Sequence, residues 1–160
     1  MARHITEIEK LKEKEESVCI MVDHPDQLYI TDDFIVTHNS TLAAHVVAEA
    51  QKTGGTCAYI DLESALNADY FKKIGVHIDD SEKFLISQPT TGEEVLTVVE
   101  MLLESGEISV IVIDSVAAII PEAVLNGSIE DQTIGQLARL MSKAIPRLVP
   151  KVAKSNTCVI

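Results

Sequence analysis

At 160 residues, 46% hydrophobic and with mean hydropathy +0.17, the chain has enough apolar material for one ordinary folded domain and is not a disordered tail. Thirteen basic against 25 acidic residues give net charge −12, which argues against a broad nucleic-acid-binding face, so any contact with DNA has to be local. The longest apolar stretch, Ser109–Pro121, is interrupted by Asp114 and Ser115 and is too short to span a bilayer; with a charged N-terminus in place of a signal peptide, a cytoplasmic protein without membrane contact is expected.

The first elements differ in kind from the rest. Glu7–Ser17 is rich in Lys and Glu, with Ile5, Ile8 and Leu11 at roughly helical spacing; periodicity makes it a solvated helix, whereas the function argued below prefers a strand. Val18–Val22 and Leu28–Val36 read as strands joined through the turn signal Asp23-His24-Pro25-Asp26, which predicts a hairpin. All seven glycines lie at or beyond Gly54, so the composition breaks well inside the chain.

From Ser40 onward the pattern is regular α/β. Thr41–Lys52 predicts a helix closed by Gly54-Gly55, Thr56–Asp61 a buried strand, and Asn67 the cap of a short helix that ends before Gly75. Phe84–Ser87 predicts a short strand. Thr91 and Glu94 form a capping-box pattern that launches a helix over Glu93–Glu104. Val110–Asp114 is the most apolar strand, as one buried on both faces should be. A last helix starting near Ile134 is expected to bend or break before Pro146, and Thr157–Ile160 begins another strand that the chain does not finish. This alternation predicts a parallel sheet flanked by helices. Cys19, Cys57 and Cys158 have apolar neighbours and no metal-ligand spacing, which predicts buried, reduced thiols.

The most informative residues are Thr37-His38-Asn39-Ser40-Thr41-Leu42. Asparagine can attack its own carbonyl through its side-chain amide and break the bond that follows. The next residue, a serine, supplies a nucleophilic hydroxyl. Leu28–Ser40 resembles the C-terminal splicing blocks of inteins. That resemblance implies that Asn39 cyclises, that His38 assists at the scissile carbonyl, and that Ser40 first accepts the upstream chain as an ester. The family commonly has a histidine where Gln27 stands, and His24 lies three residues upstream. No N-terminal intein block is present, so a separate N-terminal intein half carrying the N-extein is the expected partner, and splicing needs no cofactor.

A phosphate-binding loop requires glycines for its backbone cradle, a lysine for the phosphates and a Ser/Thr hydroxyl for Mg2+. Here only the hydroxyl end is present, as Ser40-Thr41, and Lys14 is too distant to serve. Asp114, at the end of an apolar strand, is placed to order Mg2+; Glu63, after Thr56–Asp61, is placed to orient the attacking water. The stretches AAHVVAEAQKTGGTCAYIDLESALNADY, SQPTTGEEVL, VIVIDSVAAIIPEA, ARLMSKA and KSNTCVI closely resemble bacterial RecA recombinases.

That resemblance implies a RecA-type P-loop ATPase core, incomplete in this chain, over residues 40–160, preceded by a short β-rich intein C-terminal fragment over 1–39. It further implies ATP and Mg2+ as cofactors after splicing, Glu63 as the catalytic glutamate, Ser40 and Asp114 on the metal, and Thr41 and Tyr70 on the nucleotide, with Tyr70 stacking on adenine. Asn67 replaces the family's aspartate near the base. Asn126, Gly127, Ser128 and Gly135 fall in its first DNA-contacting loop, where Glu130 and Asp131 would repel phosphates, and Arg139 is the nearest cation. The second DNA loop and the nucleotide-sensing glutamine are expected beyond Ile160, and Pro146 and Pro150 depart from the family's pattern. Implied partners are single- and double-stranded DNA and further copies in a homo-oligomeric filament. Two other readings stay open at this point: an unspliced α/β interaction module that binds no nucleotide, and an intein-interrupted P-loop ATPase of another kind, such as a replicative helicase.

Overall fold

A computed structural model describes residues 29–31, 35–37, 39–127 and 135–160. The expected helix or strand over Glu7–Ser17 and the strand Val18–Val22 fall outside them. Within the stretch read as one strand, Leu28–Val36, there are two: β1 (Tyr29–Thr31) and β2 (Ile35–Thr37) pair antiparallel, with Tyr29 opposite Thr37 and Thr31 opposite Ile35. A hairpin thus folds within this segment, while the one expected across Asp23–Asp26 lies outside the described residues. The Thr31-Asp32-Asp33 polar run divides the apolar residues that were read as continuous.

The remaining elements are α1 (Asn39–Lys52), β3 (Thr56–Asp61), α2 (Ala68–Ile74), β4 (Phe84–Ser87), α3 (Gly92–Ser105), β5 (Ile108–Asp114), α4 (Glu122–Leu125), α5 (Gln136–Ser155) and β6 (Cys158–Val159). Strands β4-β3-β5-β6 form a wholly parallel sheet in that order. Parallel strands need a crossover between them, and α2, α3 and α5 lie in those connections.

Side-chain alternation along the two central strands assigns the faces. Cys57 and Tyr59 of β3, with Val110 and Val112 of β5, pack against Ala43, Ala44, Val47 and Ala48 of α1 and Phe71 of α2. Ala58, Ile60 and Ile111 point the other way, onto Val95, Val99 and Leu103 of α3, with Leu137, Leu140 and Leu148 of α5 behind them. The alanines of α1 let that helix sit close to the sheet. Gly92 lets the start of α3 approach α5 and the segment after β5, because a Cβ there would run into the Leu140 and Ile119 side chains.

Local signals for the helix ends hold. Asn67 Oδ1 accepts the Tyr70 N–H at 2.9 Å, and Gly75 closes α2 at φ +111. The Thr91 hydroxyl accepts the Glu94 N–H while the Glu94 carboxylate accepts the Thr90 and Thr91 N–H groups, so its carboxyl is held below the ordinary range first by the Thr90 backbone and then by the Thr90 side chain and the Thr91 backbone. Thr91→Ala removes one half of this box, and a loss of about 1 kcal/mol is expected. Urea melts should show that loss for Thr91→Ala and little change for Thr91→Ser.

Two expectations are corrected. Helix α5 runs unbroken through Pro146 and Pro150. Each proline deprives the carbonyl four residues back of its donor, but Ser142, Pro146 and Pro150 are all exposed, so water can satisfy what the helix does not. Leu137, Leu140, Met141, Leu148 and Val152 hold the opposite side of α5 against the core, and Arg147 and Lys151 bridge to Glu100 and Glu104 of α3. The thiols also divide. Cys57 is fully buried and burial pushes its thiol up to about 11, whereas Cys158 is exposed because β6 is a two-residue strand at the sheet edge; Cys19 lies outside the described residues.

Candidate functional site

The carboxyl ends of β3 and β5 coincide, with Asp61 opposite Asp114, and the N-terminus of α1 arrives at the same edge. Alternation turns Asp114 to the same face as Val110 and Val112, the face that α1 covers. There the Ser40 hydroxyl donates to Asp114 Oδ2 at 2.5 Å. Tyr59, two residues before Asp61 on the neighbouring strand, donates its phenol to the same oxygen at 2.6 Å. Tyr59 is buried edge-on against Phe71, with ring centroids 5.2 Å apart. Burial, then the hydrogen bond and charge of Asp114, raise its hydroxyl far above the usual phenol range, so it stays protonated and donates to Asp114.

Glu63 lies two residues beyond β3, is exposed, and accepts the Ser115 hydroxyl at 2.8 Å; Ser115 directly follows Asp114. The turn that carries Glu63 places Ser64 at φ +52, and Asp61 steadies it. The Asp61 carboxylate accepts the N–H groups of Ala65 (3.2 Å) and Leu66 (3.3 Å) and the Gln88 amide (3.1 Å). Across from this, Thr41 Oγ1 and the Tyr70 hydroxyl are 3.0 Å apart, and the Tyr70 side chain is otherwise largely exposed.

The fold thus brings together Ser40 with Asp114, Thr41 with Tyr70, and Glu63 with the residue after Asp114. Asn39 occupies the first turn of α1, two residues earlier than the predicted helix start, so the bond between Asn39 and Ser40 lies inside the helix. His38 and Ser128 lie outside the described residues. Asn126, Gly127, Gly135 and Arg139 are exposed on either side of residues 128–134 and make no hydrogen bond to the Ser40–Asp114 cluster among the described residues. Gly135, at φ +75, starts α5.

Two site residues were not singled out from sequence. Asp61 carries the same signal as Asp114, an acid at the end of an apolar strand. Tyr59 gives none in sequence, because a tyrosine in a buried strand reads as packing until its hydroxyl is seen to have a partner.

The residues fit half of a Mg2+–nucleotide site. Mg2+ takes one or two protein oxygens and draws the rest from phosphates and water, and Ser40 with Asp114 is such a pair. The phosphate cradle itself is not in this chain, since no glycine precedes Gly54. No group of three or more His, Cys, Asp or Glu side chains able to hold a metal unaided occurs among the described residues.

A parallel sheet flanked by helices, with acids at the carboxyl ends of adjacent central strands and a helix N-terminus between them, defines a RecA-type α/β core. Comparison with known proteins agrees: the RecA N-terminal domain profile matches residues 35–160, and the chain belongs to that family. It is 53% identical over 121 residues to Protein RecA 2 of Myxococcus xanthus, covering 76% of this chain and 33% of that protein. Protein RecA of Syntrophobacter fumaroxidans is 52% identical over the same length, covering 76% and 34%, and that of Geobacter metallireducens 50%, covering 76% and 35%. The chain spans about a third of the length of these curated relatives. The matched length equals that of Ser40–Ile160, whereas the family profile reaches back to Ile35. Membership of this family speaks against the replicative-helicase alternative. No helix among the described residues is long and apolar enough to cross a membrane.

Proposed function

We propose that this chain is the C-terminal partner in protein trans-splicing that reconstitutes a RecA-type recombinase, with residues 1–39 as the intein fragment and 40–160 as host sequence. The observation that carries the reading is Ser40. It stands at the head of α1, bonded to Asp114 as the last hydroxyl of a phosphate-binding loop would be, yet it follows His38-Asn39 where that loop needs Gly-Lys.

In this reading an N-terminal intein half delivers its N-extein to Ser40, Asn39 cyclises with the help of His38, and the resulting ester rearranges to a peptide bond. An upstream segment ending in Gly-Lys then completes the cradle. In the spliced product Ser40 and Asp114 hold Mg2+, Thr41 and Tyr70 border the nucleotide, and Glu63 orients water for ATP hydrolysis. Bound Mg2+ would neutralise charge developing on the phosphates. The loop around Asn126, Gly127, Ser128 and Gly135, with Arg139 beside it, contacts single- and double-stranded DNA. The product acts in the cytoplasm as a homo-oligomeric filament for homologous recombination and DNA repair.

The test is to mix the chain with N-terminal intein halves bearing tagged N-exteins. A ligated product and a released fragment ending at Asn39 are expected. A second reading, an unspliced interaction module, draws on the lack of an upstream glycine and on the edge strand β4, whose Leu85 and Ile86 are exposed. It predicts neither product.

A further inference from the structure

Tyr59 lies under the nucleotide edge of the sheet, 2% exposed, with a hydroxyl that packing alone does not call for. Its ring meets Phe71 edge-on and lies 6.3 Å from Phe84, contacts that a phenylalanine would make equally well. We propose that Tyr59 is a positioning residue of the Mg2+–nucleotide site, whose hydroxyl holds the Asp114 carboxylate by one oxygen and so presents the other to the cation. This rests on the nucleotide-binding reading above and goes beyond it, because it gives the order of that site to a residue outside the assigned metal and nucleotide contacts.

Three features of the fold support the assignment. Register places the hydroxyl: Tyr59 pairs with Val112, two residues before the pair Asp61–Asp114, and alternation turns Tyr59, Val112 and Asp114 to the face that α1 covers. The phenol then lies 2.6 Å from Asp114 Oδ2, the oxygen that Ser40 meets at 2.5 Å, and Ser40 also interacts with Tyr59 itself. One phenol thus ties together the two side chains assigned to Mg2+. Its ring is held in turn, because Phe71 of α2 and Phe84 of β4 flank it in the core beneath α1.

A carboxylate held only through its backbone turns easily about its last bond, since that torsion is broad. A donor on one oxygen limits the turning before a cation arrives, so less freedom is lost when it binds. Mg2+ demands near-octahedral geometry and keeps several waters, so a site with two protein oxygens depends on their being set in advance. Outer hydrogen bonds to metal-holding side chains are worth roughly 10- to 100-fold in metal affinity or activity. No proton changes hands, because the phenol acts as a neutral donor throughout.

The experiment uses the ligated product formed by the 160-residue chain and an N-terminal intein half whose N-extein ends in a glycine-rich loop and Gly-Lys. Mn2+, which takes the same oxygen ligands as Mg2+, is titrated into product saturated with ADP, and free Mn2+ is read by electron paramagnetic resonance. Tyr59→Phe keeps the ring and removes the hydroxyl. It is expected to weaken Mn2+ binding about 10- to 100-fold, while ADP affinity in EDTA stays at the wild-type value. The inference is overturned if Mn2+ affinity is unchanged, or if Mn2+ and metal-free ADP binding fall together, which would give the hydroxyl a folding role. A wild-type product that binds ADP but no Mn2+ sinks the metal assignment of Ser40 and Asp114, and a wild-type chain that yields no ligated product sinks the splicing reading. Either result takes this inference with it.

Discussion

Asn39→Ala is expected to abolish release of the N-terminal fragment when the chain is mixed with an N-terminal intein half, leaving a branched ester that links the N-extein to Ser40. The reasoning is that bond cleavage after residue 39 needs a nucleophile in the side chain of that residue. Asparagine carries an amide nitrogen that closes a five-membered ring on its own carbonyl, and alanine carries nothing that can. Ser40 remains intact in the variant, and its bond to Asp114 does not involve the Asn39 side chain, so acyl transfer onto its oxygen should proceed. The two steps should therefore separate, with the ester accumulating and fragment release falling to background. Intact-mass measurement checks both at once. A variant that still releases residues 1–39 removes Asn39 from its assigned role.

Much of the RecA-type core is legible from residue pattern. The apolar runs Thr56–Asp61 and Val110–Asp114 lie side by side at the centre of the sheet because β-branched residues on both faces suit a strand covered by helices on both sides. Asn67, Thr91 and the glycines after α1, α2 and α3 mark helix ends because each provides a hydrogen bond or a positive φ. What escaped the pattern was decided by partners distant in sequence. Helix α5 tolerates Pro146 and Pro150 because α3 and the sheet hold one side of it while the prolines face water. The hairpin β1–β2 was hidden because Leu28–Val36 has enough β-prone residues to read as one strand.

At the site, Ser40, Thr41, Glu63 and Asp114 could be named from their place relative to strand and helix ends, and Tyr70 only through the resemblance to RecA recombinases. The single-turn helix α4 and the roles of Tyr59 and Asp61 could not. A phenol or carboxylate within an apolar strand says nothing of its partner until the register pairs Asp61 with Asp114 and the alternation turns Tyr59 toward α1.

Asp61→Ala is expected to destabilise the chain by about 3 kcal/mol and to free the turn that carries Glu63. Asp61 is only 4% exposed, and its carboxylate is the acceptor for the Ala65 and Leu66 N–H groups and the Gln88 amide. Removing it leaves these donors without their partner, at about 1–3 kcal/mol for each that water cannot reach. Ser64 compounds the loss: it holds φ +52, a conformation a serine keeps only where its surroundings enforce it, and the two N–H bonds to Asp61 follow it directly. Glu63 would then lose its fixed approach to Ser115 even though neither residue is altered. Urea melts report the stability change, and hydrogen exchange at the Ala65 and Leu66 amides reports the turn. Asp61→Asn, which retains one carbonyl acceptor, should fall between the wild type and Asp61→Ala in both measurements. Unchanged protection at those two amides in Asp61→Ala would mean that the turn is held by something other than the carboxylate.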